Sequence, residues 1–158
     1  MTATAIEPTL WSDDYAAAAA FGADPADVED AVQRFGHGEC ATFAGRLHEW
    51  TGWDVYQLPG WQHWCVCRPD GALLDIYGVF HRGAGGWDHV ARRYGMTETD
   101  WSRMESPARV CWMENAHRAE IDAFLDTPWG RAILPLDQRR ATPIFYPDLD
   151  LDLDEDDE

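Results

Sequence analysis

Cys40, His63 and Asp75 stand in that order along the chain. Together these residue types can turn a thiol into a nucleophile, because an imidazole backed by a carboxylate takes up the thiol proton. Cys40 opens a helical pattern, GECATFAGRLHEW; His63 begins a strand-like run, HWCVC; Asp75 lies in the next such run, ALLDIYG, across the turn RPDG. In this arrangement Cys40 would attack a carbonyl carbon and His63 would protonate the leaving group. Asp75 would fix the imidazole tautomer. A helix N-terminus favours the thiolate, and the backbone N–H groups of residues 40 and 41 would face a developing oxyanion.

The surrounding elements must place these groups. Cys40, Phe43, Ala44 and Leu47 fall at i, i+3, i+4 and i+7, so one helical face carries all four and Cys40 points toward the core. Gly52 is the expected stop. Along HWCVC, side chains alternate, so His63, Cys65 and Cys67 share one face while Trp64 and Val66 share the other. The loop decides on which face Asp75 falls. A two-residue Asp70-Gly71 loop pairs Val66 with Asp75 and puts the carboxylate on the wrong side. A three-residue loop, Pro69-Asp70-Gly71, pairs Cys65 with Asp75 and sets the carboxylate diagonal to His63 on the same face. Proline suits the first corner of a type I turn, and glycine suits the left-handed residue after it, which favours the longer loop.

Elsewhere, residues 12–21 read as a helix capped by Ser12, and residues 25–35 as a second one ending at Gly36. A strand is expected at 53–58 and a hairpin over 62–68 and 72–79. A helix is expected at 87–94 and a longer one across 107–125, while 126–147, with four prolines, reads as irregular. The expected class is α+β, with helices packed on a short antiparallel sheet. One domain would span residues 1–147, followed by a disordered acidic tail at 148–158.

Charge narrows the partners. The net charge is −17, and removing the eight acidic groups of the tail DLDLDLDEDDE leaves −9. An acidic body repels phosphate backbones, which argues against nucleic acid as a partner. No apolar run is long enough for a membrane helix, and the start lacks the pattern of a signal peptide. The expected compartment is the cytoplasm, where Cys40, Cys65, Cys67 and Cys111 would be reduced.

The ordered set GHGECATFAGRLHEWTGW and HWCVCRPDGALLDIYG, over roughly residues 36–80, resembles the papain-like thiol enzymes, especially their compact bacterial and transglutaminase-like branches. The resemblance implies Cys40 as nucleophile, His63 as base and Asp75 as the group orienting it. It implies chemistry on an amide, thioester or ester, with no cofactor and a peptide, protein or small amide as substrate. Papain-like peptidases place an oxyanion-binding Gln about six residues before the Cys. Here that position holds Arg34, and Gln33 is one residue too early. Trp61 and Trp64 flank His63, and one of them could wall a cleft or grip an apolar substrate group; His37, three residues before Cys40, could approach the site or lie exposed in the loop.

Other readings use the same residues. The fold could serve without catalysis, as a module or inhibitor whose acidic surface binds a basic protein. A zinc site built from His63, Cys65 and Cys67 with Cys40 fits the ligand types, but His-x-Cys-x-Cys within a strand matches structural zinc spacing poorly. Cys65, Cys67 and Cys111 read as packing residues. His48, His81, His89 and His117 read as surface.

Overall fold

The computed structural model describes residues 7–10, 15–37, 39–83 and 85–147, without the side chains of His37 and Trp61. Ser12 and the acidic tail at 148–158 lie outside the described residues. The architecture is α+β. Among the described residues five α-helices, α1 (Pro25–His37), α2 (Cys40–Thr51), α3 (Gly86–Arg92), α4 (Asn115–Leu125) and α5 (Pro128–Ile133), pack with five strands: β1 (Asp54–Leu58), β2 (His63–Cys67), β3 (Leu73–Asp75), β4 (Gly78–Phe80) and β5 (Ser102–Arg103). The sheet is antiparallel throughout, in the order β4-β3-β2-β1-β5. No helix among the described residues is long and apolar enough to cross a membrane.

The α2 pattern folds as its spacing requires. Phe43, Ala44 and Leu47 are buried with Cys40, and the helix packs on β2. Gly52 ends it in the left-handed region (φ 77°), donating its N–H to the His48 carbonyl at 2.7 Å. A stacked and tilted trio of rings, Phe35, Phe43 and Phe124, joins α1, α2 and α4.

The decisive loop has three residues. Val66 pairs with Leu74 and Cys67 with Leu73, so the register runs on to Arg68 opposite Ala72, with Pro69, Asp70 and Gly71 between. Arg68 and Ala72 are joined at 2.7 Å, and Gly71, at φ 95°, donates to the Arg68 carbonyl at 2.8 Å.

Several expected elements differ. The 72–79 strand breaks after Asp75, whose Oδ1 accepts the Tyr77 N–H at 2.8 Å and so turns the chain into β4. The 107–125 helix is divided into a short 3-10 turn, Pro107–Val110, and α4. Its middle is claimed by tertiary contacts: Gly45 of α2 packs against the Val110 carbonyl, and Arg118 takes the carbonyls of Cys111 and Met113. The proline-rich 126–147 segment contains α5, which starts at Pro128 with Thr127 as a side-chain cap. Residues 15–21 form a 3-10 helix. His48 is buried, its ring between the Trp53 carbonyl and the Tyr146 hydroxyl at 2.6 Å each, because residues 140–146 fold back over the end of α2.

Candidate active site

Cys40 is the first residue of α2 and is only 8% exposed. Glu39 stands at the cap position but makes no side-chain capping bond. Its carboxylate is drawn outward to Arg34 at 2.6 Å and His117 at 3.7 Å. Among the described residues no side chain caps the first-turn N–H groups of α2, which carry the positive end of the helix dipole. Arg34 is committed to Glu39 and Glu120.

His63 is completely buried at the start of β2, and Asp75, 2% exposed, ends β3. The three-residue loop places Asp75 opposite Cys65, and from there Oδ2 accepts the His63 Nε2–H at 2.7 Å. The same oxygen accepts the Cys65 thiol at 3.5 Å, while Oδ1 holds the Tyr77 N–H. The carboxylate thus has three donors around it. Burial works to lower the basicity of His63, but hydrogen bonding and charge from Asp75 and Cys40 prevail and raise its pKa from the usual 6.5 to about 9. Cys40 enters this balance as the second hydrogen-bonding and charged neighbour of the imidazole after Asp75.

The other three thiols are held in the protonated form. Burial, followed by Asp75, pushes Cys65 well up; burial and Asp54 push Cys67 up; burial and Glu49 push Cys111 up to about 12.

Tyr94, just past α3, was not among the residues singled out from sequence. Its hydroxyl lies 3.0 Å from His63 Nδ1 and donates to the Gly36 carbonyl at 2.9 Å. Its ring stacks on the imidazole with centroids 4.7 Å apart. Trp101 meets the same imidazole edge-on at 6.2 Å. Nothing local marks Tyr94, since its partners lie 31 and 58 residues away in sequence. Gly36 is marked differently: a Cβ there would sit 2.8 Å from the Tyr77 hydroxyl, so any larger residue must displace that side chain.

The remaining expected site residues do not converge on the thiol. Trp64 is 4% exposed on the face of β2 opposite His63, so it fills the core and does not wall a cleft. Gln33 is exposed on α1, with no hydrogen bond to Cys40, His63 or Asp75 among the described residues. His37 ends α1, and Trp61 ends the short 3-10 turn before β2; neither side chain is described. A cavity of about 290 Å³ opens beside the first turn of α2, lined by Thr42, Trp112, Met113, Glu114 and His117.

His63, Cys65 and Asp75 bring their ligand atoms within 4.8 Å of one another. Cys67, a member of the sequence-derived zinc set, stands outside that group, and its thiol turns to the Arg68 carbonyl. No family model, curated protein or solved structure matches the chain.

Proposed function

We propose that this protein is a cysteine-dependent hydrolase or acyltransferase that acts on an amide, thioester or ester bond through Cys40, His63 and Asp75, on a scaffold of the papain-like or transglutaminase-like kind. One observation carries the reading: a fully buried imidazole, 2.7 Å from a buried carboxylate and favoured as a cation, sits beside a thiol at a helix N-terminus that no side chain caps. A charged His63 beside Cys40 is the electrostatic half of a thiolate–imidazolium pair.

In the proposed reaction the Cys40 sulfur attacks the substrate carbonyl carbon, forming a C–S bond. Oxygen takes the carbonyl π electrons and is met by the first-turn N–H groups of α2. Collapse of this intermediate expels the amine, thiol or alcohol, which receives a proton from His63. The neutral imidazole then takes a proton from water or an acceptor amine as that nucleophile attacks the thioester carbonyl. The carbon–sulfur bond breaks and the ion pair is restored. Asp75 holds Nε2 throughout, so the proton exchanged in the reaction is the one on Nδ1, which faces the Tyr94 hydroxyl at 3.0 Å in the resting site. The cavity beside Thr42 and Trp112 offers room for the group attached to the acyl carbon.

Incubation with an acyl-type electrophile, then mass spectrometry of the intact chain and its peptides, tests this. A single adduct on Cys40 at neutral pH is expected, lost in His63→Ala and absent in a folded Cys40→Ala variant. Labelling that follows exposure instead, with the half-buried Cys67 ahead of Cys40, would favour the second reading. That reading is a catalytically silent acidic module that binds a basic protein, and the near-complete burial of Cys40 is the observation in its favour.

A further inference from the structure

We infer that Tyr94 is a positioning residue that connects the carboxyl end of α1 to His63 and holds that ring doubly protonated beside Cys40. The catalytic consequence rests on the reading of Cys40 and His63 given above; the proton assignment does not.

The last carbonyls of a helix have no partner within it, and Gly36 contributes one of them near the end of α1. A carbonyl can only accept, so the 2.9 Å contact uses the single proton of the Tyr94 hydroxyl. The phenol oxygen then has only lone pairs to offer His63 Nδ1 at 3.0 Å, and Nδ1 must carry a hydrogen. Nε2 already donates to Asp75. A ring with hydrogen on both nitrogens is imidazolium. Burial, then Tyr77, Asp75 and Cys65, push the Tyr94 pKa up from the usual phenol value, so the hydroxyl keeps its proton at neutral pH. Stacking of the two rings at 17° fixes the imidazole plane.

Among the described residues, the ionisable groups facing His63 are Asp75 from β3, Cys65 from β2, Cys40 from α2, Tyr77 from the turn after β3, and Tyr94 from just past α3. Among them Tyr94 alone bonds Nδ1 while tied to a helix end. When Nδ1 gives its proton to a leaving group, the hydroxyl must turn from Gly36 to Nδ1 and leave the helix carbonyl unpaired again. The neutral ring is then the costlier state, and reprotonation is favoured.

A nitrogen-15 NMR titration of the full-length chain tests this through the two ring nitrogens of His63. In the native protein both should be protonated at neutral pH, with a midpoint near 9. Tyr94→Phe keeps the stacked ring and removes the hydroxyl, so the midpoint should fall by about one to two pH units, the size of a hydrogen bond to a charged group. The same fall should occur in a Cys40→Ala background. A neutral His63 ring at neutral pH in the native protein would overturn the inference, and that spectrum decides even if Tyr94→Phe does not fold. An unchanged midpoint in a folded but destabilised Tyr94→Phe protein would also overturn it, leaving Tyr94 purely structural. If Cys40 fails to label while the Tyr94→Phe shift appears, the catalytic reading fails and this one stands.

Discussion

His63 is where stability and chemistry meet. Its folded pKa of about 9 lies above the ordinary 6.5 of an unfolded chain, so protonation favours the folded state. This contribution is complete below about pH 6.5 and is lost as the pH rises toward 9. A single such proton gives a slope of at most about 1.4 kcal/mol per pH unit. The thiols of Cys65, Cys67 and Cys111, all pushed up in the fold, add a loss of the same sign only above about pH 8.5, where unfolded thiols ionise. In a Cys40→Ala background, where no thiolate can offset the proton held by His63, urea unfolding between pH 6.5 and 8.5 should therefore show falling stability, and the profile should be nearly flat once His63→Gln is added. Parallel slopes for the two would place the neutral ring in the folded state. The same three raised thiols are why Cys40 should react alone among the four at neutral pH.

At the scale of elements, the site depends on two chain features, the loop that sets the register and the close approach at the end of α1. Gly36 lies within a helix, where alanine would ordinarily be better by about 1 kcal/mol. A Cβ there meets the Tyr77 hydroxyl at 2.8 Å and its ring carbon at 3.3 Å. Gly36→Ala should destabilise the protein by about 1–2 kcal/mol against that propensity, and it should slow labelling of Cys40 by displacing the Tyr77–Tyr94 pair. A stabilised Gly36→Ala protein with native labelling would show that the contact relaxes freely. Gly71 differs: nothing lies within 4 Å of its added Cβ, so substitution there meets only the cost of φ 95° in the loop that sets the Asp75 register.

For the molecule as a whole, the helix that begins at Cys40 is anchored at its far end by buried charge. Glu49, 1% exposed, accepts from Arg46 at 2.9 Å and from Arg118 at 2.8 and 3.1 Å. Arg46 also forks onto Asp122 at 2.7 and 2.9 Å, which ties α2 to α4. Residues 140–146 close over this end through the Trp50 and Glu49 carbonyls and His48. Removing one partner of a buried ion pair costs more than replacing both. Arg118→Met should lower unfolding free energy by about 3 kcal/mol, and adding Glu49→Met should restore most of it, as measured by urea denaturation. A double variant as unstable as the single one would show that the charges themselves, and not their pairing, stabilise the fold.

Features set by neighbours along the chain could be read from residue order. The face of α2, its stop at Gly52, the strand alternation that sets His63 apart from Trp64, and the Pro-Asp-Gly loop that brings Asp75 to His63 all follow from periodicity and turn chemistry over a few residues. Only the tertiary structure decided the partners that come from far along the chain. Tyr94 reaches His63 and Gly36, Trp64 and His48 are covered, and the expected helix at 107–125 surrenders its middle to α2 and Arg118. Those outcomes depend on which surfaces are pressed together once the core closes. Local spacing records which face of an element is apolar, but not which distant hydroxyl or carbonyl will meet it.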